Sequence, residues 1–362
     1  MRTAPRAEAW APGRCTLAGE HVDYAGGVVV CAALDLGVGV VVRPSHDGVF
    51  RAVSGERRAE RAGAEPRGDI GDRIFAAVIA LRDAGIDVPA LEVEVQATLP
   101  EAAGLASSAA VTCATMAAAL RLCGRTLATR AFIDTALHGE RDIAGVPCGP
   151  LDPAAIVGSP GAAVLRLDCE TLATRALRWP WDNVTLCVCA TSERHDVGGA
   201  AYRARRAETE EALRSAGART AKDLVEDDSN LAALPPLLQR RARHVTTETR
   251  RALAAAEALG RGDAAALGRV MSESHASLRD DHEVSTGLLD AVAAAAESCS
   301  GCLGARLVGA GFGGSVIALV RRDAAGACAS AMAAAAGRGC RTWLVTPSPG
   351  LADTARDCIS DG

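Results

Sequence analysis

Five polar side chains crowd a stretch of small and apolar residues near the start of the chain. Arg14, Glu20, His21, Asp23 and Tyr24 fall within eleven positions, among glycines. Carboxylates and an imidazole at that density offer directional hydrogen bonds to a hydroxyl-rich ligand; the alternative is a solvated N-terminal loop. Two further acids, Glu140 and Asp152, flank a Gly/Pro turn. Acids so separated can divide the labour, one on Mg²⁺ and one near an attacking hydroxyl, unless the turn is an ordinary surface feature.

Two glycine-bearing segments suit phosphate. Gly104, Leu105, Ala106, Ser107, Ser108 and Ala109 follow an alternating strand pattern and open a long apolar helix. A helix start exposes unpaired N–H groups and partial positive charge, Gly104 permits close backbone approach, and Ser107 or Ser108 offers a hydroxyl to phosphate or Mg²⁺. No Gly-Lys-Ser/Thr follows, so this is not a Walker A loop; the competing reading is an N-capped helix whose serines bond only the backbone. The second segment, 309–314, matches G-x-G-x-x-G in form. A dinucleotide site needs a helix after it and an acidic residue further on, whereas 315–320 reads as strand. A turn that backs onto a phosphate or substrate site fits better, with a plain strand–turn–strand link as the alternative.

The elements that must position these residues follow from periodicity. Strands are predicted at 28–43, 50–61 (as a pair), 91–99, 162–168, 184–190, 306–308, 315–320 and 342–346. Helices are predicted at 74–84, 107–123, 131–144, 202–216, 241–259, 264–278, 288–298 and 324–336. The mixture lacks a strict βαβ rhythm, which favours an α+β architecture. The Trp179-Pro180-Trp181 stretch marks a boundary between residues 1–180 and 181–362, with the last strand a candidate to return to the N-terminal half.

Composition narrows the function classes. At 362 residues the chain can bury a large core and divide into two domains. A net charge of −5 and a single lysine, Lys222, argue against a nucleic-acid binder, which needs a basic face. Thirteen cysteines raise disulfides or metal, but Cys187 and Cys189 alternate inside an apolar run and the Cys299/Cys302 pair has no second pair to complete a zinc site. Thiols kept reduced in a cytoplasm are expected. Residues 1–10 lack the apolar core of a signal peptide, and no run approaches the ~20 apolar residues that span a bilayer. Aromatic residues make up 3% of the chain, too few for the usual interface anchors, and nothing in the sequence assigns an oligomeric state.

The four segments, in this order, resemble the GHMP kinase superfamily and specifically its galactokinase branch. The 13–24 stretch resembles the galactokinase signature, 104–109 the superfamily's phosphate motif, 309–314 its third motif, and 145–152 the segment carrying the catalytic aspartate. Further agreement lies at 191–195, Tyr202, Arg205, Arg206, 241–245 and 273–281. The resemblance implies a two-domain α+β GHMP kinase fold with the active site in the interdomain cleft. It implies a sugar 1-kinase that uses ATP and Mg²⁺ on galactose or a galactose-like sugar, larger or modified ones included. By position, Asp152 is the catalytic aspartate and Arg14 its basic partner. Glu20, His21, Asp23, Gly149 and Tyr202 bind the sugar, 104–109 binds nucleotide, and Ser108 (Ser107 nearby) and Glu140 hold Mg²⁺.

The pattern departs from the branch at Thr16 (usually Asn), Val30-Cys31 (usually Leu-Pro), Ala102-Ala103 (usually Gly-Gly) and Pro153 (usually Gln), and 68–81 lacks the usual Trp. Two other functions compete. One is a non-catalytic sugar sensor, which the presence of Ser107, Ser108 and Asp152 opposes. The other is a kinase for a non-sugar alcohol such as mevalonate or homoserine, which the Glu20-His21-x-Asp23-Tyr24 cluster opposes.

Overall fold

The computed structural model describes residues 5–63, 65–100, 103–161, 163–193 and 199–360. Only Arg14 of the first polar cluster lies on a strand; Glu20, His21, Asp23 and Tyr24 lie in the turns that follow it. Arg14 and Thr16 stand on a twelve-residue strand, β1 (Ala7–Ala18), whose residues from Ala11 onward are all buried. Burial on both faces removes the polar/apolar alternation by which a strand is recognised, so periodicity passed over it.

The first half continues with β2 (Val28–Pro44), β3 (Phe50–Ser54), β4 (Arg57–Arg61), α1 (Gly71–Asp83), β5 (Leu91–Ala97), α2 (Ser107–Cys123), β6 (Leu127–Ala128), α3 (Thr129–His138), α4 (Leu151–Gly158), β7 (Ala163–Asp168) and β8 (Thr174–Arg178). β2 is the spine of a seven-stranded sheet. Antiparallel β1 runs along one edge of it, while β5 and β7 share the other, at residues 38–44 and 28–31. α2 packs on β1 and β2, and α4 on β1, which carries Asp152 to the strand that bears Arg14. The helix expected at 131–144 is interrupted: α3 stops at His138 and a π-helical turn, Gly139–Ile143, carries Glu140. Such turns add a residue to the helical repeat and re-aim side chains, often at functional sites.

The chain leaves this sheet through Trp179 and Trp181, whose rings meet edge to face at 5.1 Å. It continues as β9 (Val184–Ala190), α5 (Ala200–Ser215), α6 (Ala221–Glu226), α7 (Pro236–Arg261), α8 (Ala264–Asp280), α9 (Gly287–Glu297), β10 (Cys302–Val308), β11 (Ser315–Arg321), α10 (Ala325–Ala336), β12 (Arg341–Val345), α11 (Leu351–Thr354) and β13 (Ile359–Ser360). A four-stranded antiparallel sheet runs β10-β11-β9-β12. Cys187 and Cys189 are buried in it, and all thirteen cysteines are free thiols. After β12 the chain turns back: Pro347 bridges to Leu34 of β2, and β13 pairs in parallel with β6. No helix among the described residues is long and apolar enough to cross a membrane.

Candidate active site

The seam of the site is an ion pair. Arg14 on β1 reaches Asp152, in the first turn of α4, with Nε at 2.7 Å and Nη2 at 2.6 Å from the same oxygen, Oδ1. Oδ2 has no partner among the described residues. The remaining Arg14 nitrogen donates to the Gly104 carbonyl at 2.5 Å, and the Arg14 backbone N–H to that of Leu105 at 3.1 Å. Burial works against the Arg14 charge, but Asp152 and then Glu20 outweigh it, so the guanidinium is held even more firmly protonated than usual. Pro153 falls in the first turn of α4, where a missing N–H breaks no helical bond.

Beyond Arg14 the chain bends through Gly19 into His21, whose φ of +61° is a left-handed conformation uncommon outside glycine. Hydrogen bonds hold it there. His21 Nε2 donates to the Ala310 carbonyl at 3.0 Å, which leaves Nδ1 to accept from the Tyr24 hydroxyl at 3.1 Å. His282 lies 3.4 Å from that hydroxyl, its ring 4.5 Å from His21 and stacked at 4.3 Å on His244. Burial drives His21 to about 3 and His244 to about 4, so the imidazoles are neutral and act as hydrogen-bonding spacers. Glu20 is buried too: its Oε2 accepts from Arg306 Nη2 at 2.9 Å and from the Gly309 N–H at 3.0 Å. Asp23 faces Gly149, where any side chain would collide with its carboxylate. Burial, then repulsion from Asp152, raises Asp23 to about 6. Tyr202 on α5 closes this wall, 5.8 Å from the His21 ring.

The phosphate wall is made of backbone. Ala106 caps α2 in a left-handed conformation (φ +60°) with no side-chain cap, and the first intrahelical bond joins the Ala110 N–H to Ala106 O at 3.0 Å. The N–H groups of Ser107, Ser108 and Ala109 thus lack helical partners, and neither serine hydroxyl is hydrogen-bonded among the described residues. That removes the reading of a self-capped helix and leaves N–H donors free to face an anion. Gly104 (φ +73°) and Gly309 (φ +87°) lie back to back: a Cβ on Gly309 would sit 2.6 Å from the Gly104 Cα, and one on Gly104 would strike the Val308 carbonyl.

Glu140 sits behind this wall, wholly buried. Its oxygens have only loose partners, the Thr112 hydroxyl at 3.4 Å and the Cys148 thiol at 3.5 Å. Burial and then Asp152 raise it to about 7. Arg73 is near enough to oppose that rise but makes no ion pair with Glu140. A buried carboxylate without a direct counter-ion, beside Asp152 and on the α2 side of the cleft with Ser108, is a donor set that fits Mg²⁺ completed by phosphate oxygens and water. No group of three or more His, Cys, Asp or Glu suited to a metal occurs among the described residues.

The structure gathers most of the predicted residues around one open cleft: Arg14, Glu20, His21, Asp23, Gly104, Ala106, Ser107, Ser108, Gly149, Asp152 and Tyr202 all line it. Leu105, Ala109 and Glu140 do not; Leu105 and Ala109 are buried, so they meet a ligand through backbone if at all. Arg194 and His195 lie outside the described residues. Sequence reading missed Arg306, Glu248 and His282 and gave His244 no role. The signal for them was a charge or imidazole on an apolar face, which by itself names no partner.

Three family models match parts of the chain: GHMP kinases N terminal domain at residues 72–159, GHMP kinases C terminal at 255–338, and the galactokinase galactose-binding signature at 2–44. A galactokinase of Roseiflexus sp. (strain RS-1) is 37% identical over 332 residues, covering 86% of this chain and 83% of the relative. The crystal structure of Lactococcus lactis galactokinase complexed with galactose superposes with a TM-score of 0.87 at 27% identity, covering 95% of this chain and 94% of the other. The Methanococcus jannaschii mevalonate kinase structure covers 96% of this chain and 99% of its own at a TM-score of 0.70, but at 17% identity it shares the fold alone.

Proposed function

Because the chain belongs to the galactokinase family of the GHMP kinases, we propose that it moves the γ-phosphoryl group of ATP to the anomeric C-1 hydroxyl of galactose, with Asp152 and Arg14 at the reacting atoms. It is an ATP-dependent galactose kinase with a two-domain α+β fold; we place the division at 1–180 and 181–362. The observation that carries the chemistry is the one-sided Arg14–Asp152 pair. With Oδ1 occupied, Oδ2 is left for the hydroxyl of the sugar.

In this reading the sugar lies against Glu20, His21, Asp23, Gly149 and Tyr202. The ATP phosphates lie against the 104–109 backbone and the start of α2. The C-1 hydroxyl donates its hydrogen bond to Asp152 Oδ2, and the proton passes there as the oxygen attacks the γ-phosphorus. Arg14 orients Asp152 through Oδ1 and offsets charge on the phosphoryl oxygens in flight. Glu140 and Ser108 are the residues that would hold Mg²⁺, which when bound neutralises β- and γ-phosphate charge. Thirteen unpaired thiols suit a reducing compartment, and we place the reaction in the cytoplasm.

The test is a panel of free sugars, C8 and modified sugars included, incubated with ATP and Mg²⁺ and read by phosphorus NMR. One anomeric phosphate per ADP released, with galactose the best substrate, is expected. Phosphate on another carbon, or no ADP release, would overturn the assignment.

A further inference from the structure

Glu20, like Asp152, has one carboxylate oxygen engaged and one nearly bare. Arg306 Nη2 and the Gly309 N–H both point at Oε2, whereas Oε1 has only the Thr16 hydroxyl, at 3.4 Å the limit of a hydrogen bond. Arg306 is wholly buried on β10; its other nitrogens donate to the Leu307 carbonyl at 2.9 Å and the Thr16 carbonyl at 3.3 Å. Behind it stands Glu248 on α7, also wholly buried, 3.9 Å from Arg306 Nη1. Glu248 Oε1 accepts from the Gly19 N–H at 2.9 Å, the Glu20 N–H at 3.3 Å and the Ser274 hydroxyl at 2.6 Å. Burying an arginine between two carboxylates is expensive, and apolar residues of the same volume often stabilise a core more. Packing alone therefore does not explain Arg306.

We propose that Arg306 is a positioning residue for sugar recognition: it fixes Glu20 by Oε2 so that Oε1 is presented to one hydroxyl of the sugar, and thereby sets which hydroxyl pattern the cleft accepts. The inference rests on the galactose-kinase reading. Glu248 acts in series, holding the Gly19–Glu20 backbone and the far side of Arg306. Without the guanidinium, Glu20 is free to rotate about its own side-chain bonds, and neither oxygen has a fixed aim. A site built to pair one hydroxyl rejects the sugar that lacks it; a site with a loose acceptor does not.

The experiment compares galactose with the monodeoxygalactoses, one for each non-anomeric hydroxyl, in wild type, Arg306→Lys and Glu248→Gln. Wild type is expected to lose roughly a hundredfold in kcat/KM on one deoxy sugar, the worth of one hydrogen bond to a charged group. In Arg306→Lys that ratio falls to about tenfold or less and the galactose KM rises roughly tenfold, while the ATP KM stays within about twofold. Glu248→Gln moves the same quantities the same way by less. If Arg306→Lys does not fold by circular dichroism, Glu248→Gln decides alone. Folded variants that keep the wild-type deoxy-sugar pattern, or raise the ATP KM as much as the galactose KM, overturn the inference while leaving the kinase assignment standing. A wild-type protein inert toward galactose overturns the assignment and the inference with it.

Discussion

The two walls of the cleft are made of different material. The phosphate wall is main chain: Gly104 and Gly309 pressed Cα to Cα, and the open N–H groups of α2. The sugar wall is side chain: Glu20 on Arg306 and on the Gly309 N–H, His21 on the Ala310 carbonyl and Tyr24, Tyr24 on His282, His282 stacked on His244. The first wall works because atoms are missing, so it fails when one is added. The second works because its side chains hold one another in place, so it fails when a partner is removed. In the proposed reading, the main-chain wall takes the phosphate that every ATP carries, whereas the side-chain wall takes a particular arrangement of hydroxyls.

The largest effect is expected where the walls meet. Asp152→Asn keeps the shape but cannot take a proton, and it leaves Arg14 without its counter-charge. Turnover should fall by roughly a thousandfold or more, the upper range of general-base effects, with ATP affinity measured by calorimetry unchanged. Turnover near wild type in a coupled ADP assay would remove Asp152 from the chemistry and turn the seam into scaffold.

Next comes the backbone wall. Gly309→Ala places a methyl 2.6 Å from the Gly104 Cα, at a φ of +87° that a β-carbon resists. Overpacking of this kind costs roughly 1–3 kcal/mol, and the loops must part to relieve it. We expect a lower melting temperature and a loss of roughly a hundredfold in kcat/KM, borne by ATP as much as by galactose. A defect confined to galactose would break the division between the walls, since Gly309 would then act only through its N–H to Glu20.

This contrast also explains what the sequence disclosed. The 104–109 part of the phosphate wall is written locally, with glycine where the backbone must pass close and serines at a helix start; its contact with Gly309 is not. Asp152 and Arg14 were legible from their motifs. The partners of the sugar wall are not local. Glu20 meets Arg306 across 286 positions, and His244 reaches the Glu20 carbonyl across 224. An arginine in an apolar strand shows that something unusual is buried there, but only the tertiary fold shows what it faces. The same limit hid β1, whose burial on both faces erased the alternation, and the π-turn at Gly139–Ile143, which continues the helical pattern while turning Glu140 inward. The fold also changed the reading of Glu20 and His21, which line the cleft yet each spend one hydrogen bond on the third-motif loop, at Gly309 and Ala310.

His21→Asn probes the sugar wall with the backbone held constant, because Asn accepts the left-handed conformation better than most residues. The variant loses the long reach to Ala310 and the acceptor for Tyr24. One or two hydrogen bonds at about 1 kcal/mol each predict a galactose KM raised roughly tenfold, with the ATP KM little changed. An equal rise in both would mean that the third-motif loop moves as one body with the sugar wall, and the comparison would have to be redrawn around that loop.

The smallest effect is a titration. A free aspartate ionises at about 4, whereas Asp23 in the fold is raised to about 6 by burial and by Asp152. Between those values the folded chain holds a proton that the unfolded chain has released, so this group favours the fold in acid. That advantage is lost as pH rises through about 6. Sugar binding runs the other way, because the ionised carboxylate is the stronger acceptor. Glu140 titrates near 7 in the metal-free protein, so the profile is taken at saturating ATP and Mg²⁺. Wild-type kcat/KM for galactose should then fall to about half as pH drops from 8 to about 6. Asp23→Asn should show a lower, flat profile over that range and melt above wild type at pH 8, with the difference narrowing as pH approaches 4. An acid limb that survives in Asp23→Asn would assign the titration to another group. A variant that melts below wild type at pH 8 would show that the charge on Asp23 is a support of the sugar wall, and not a strain held there for recognition.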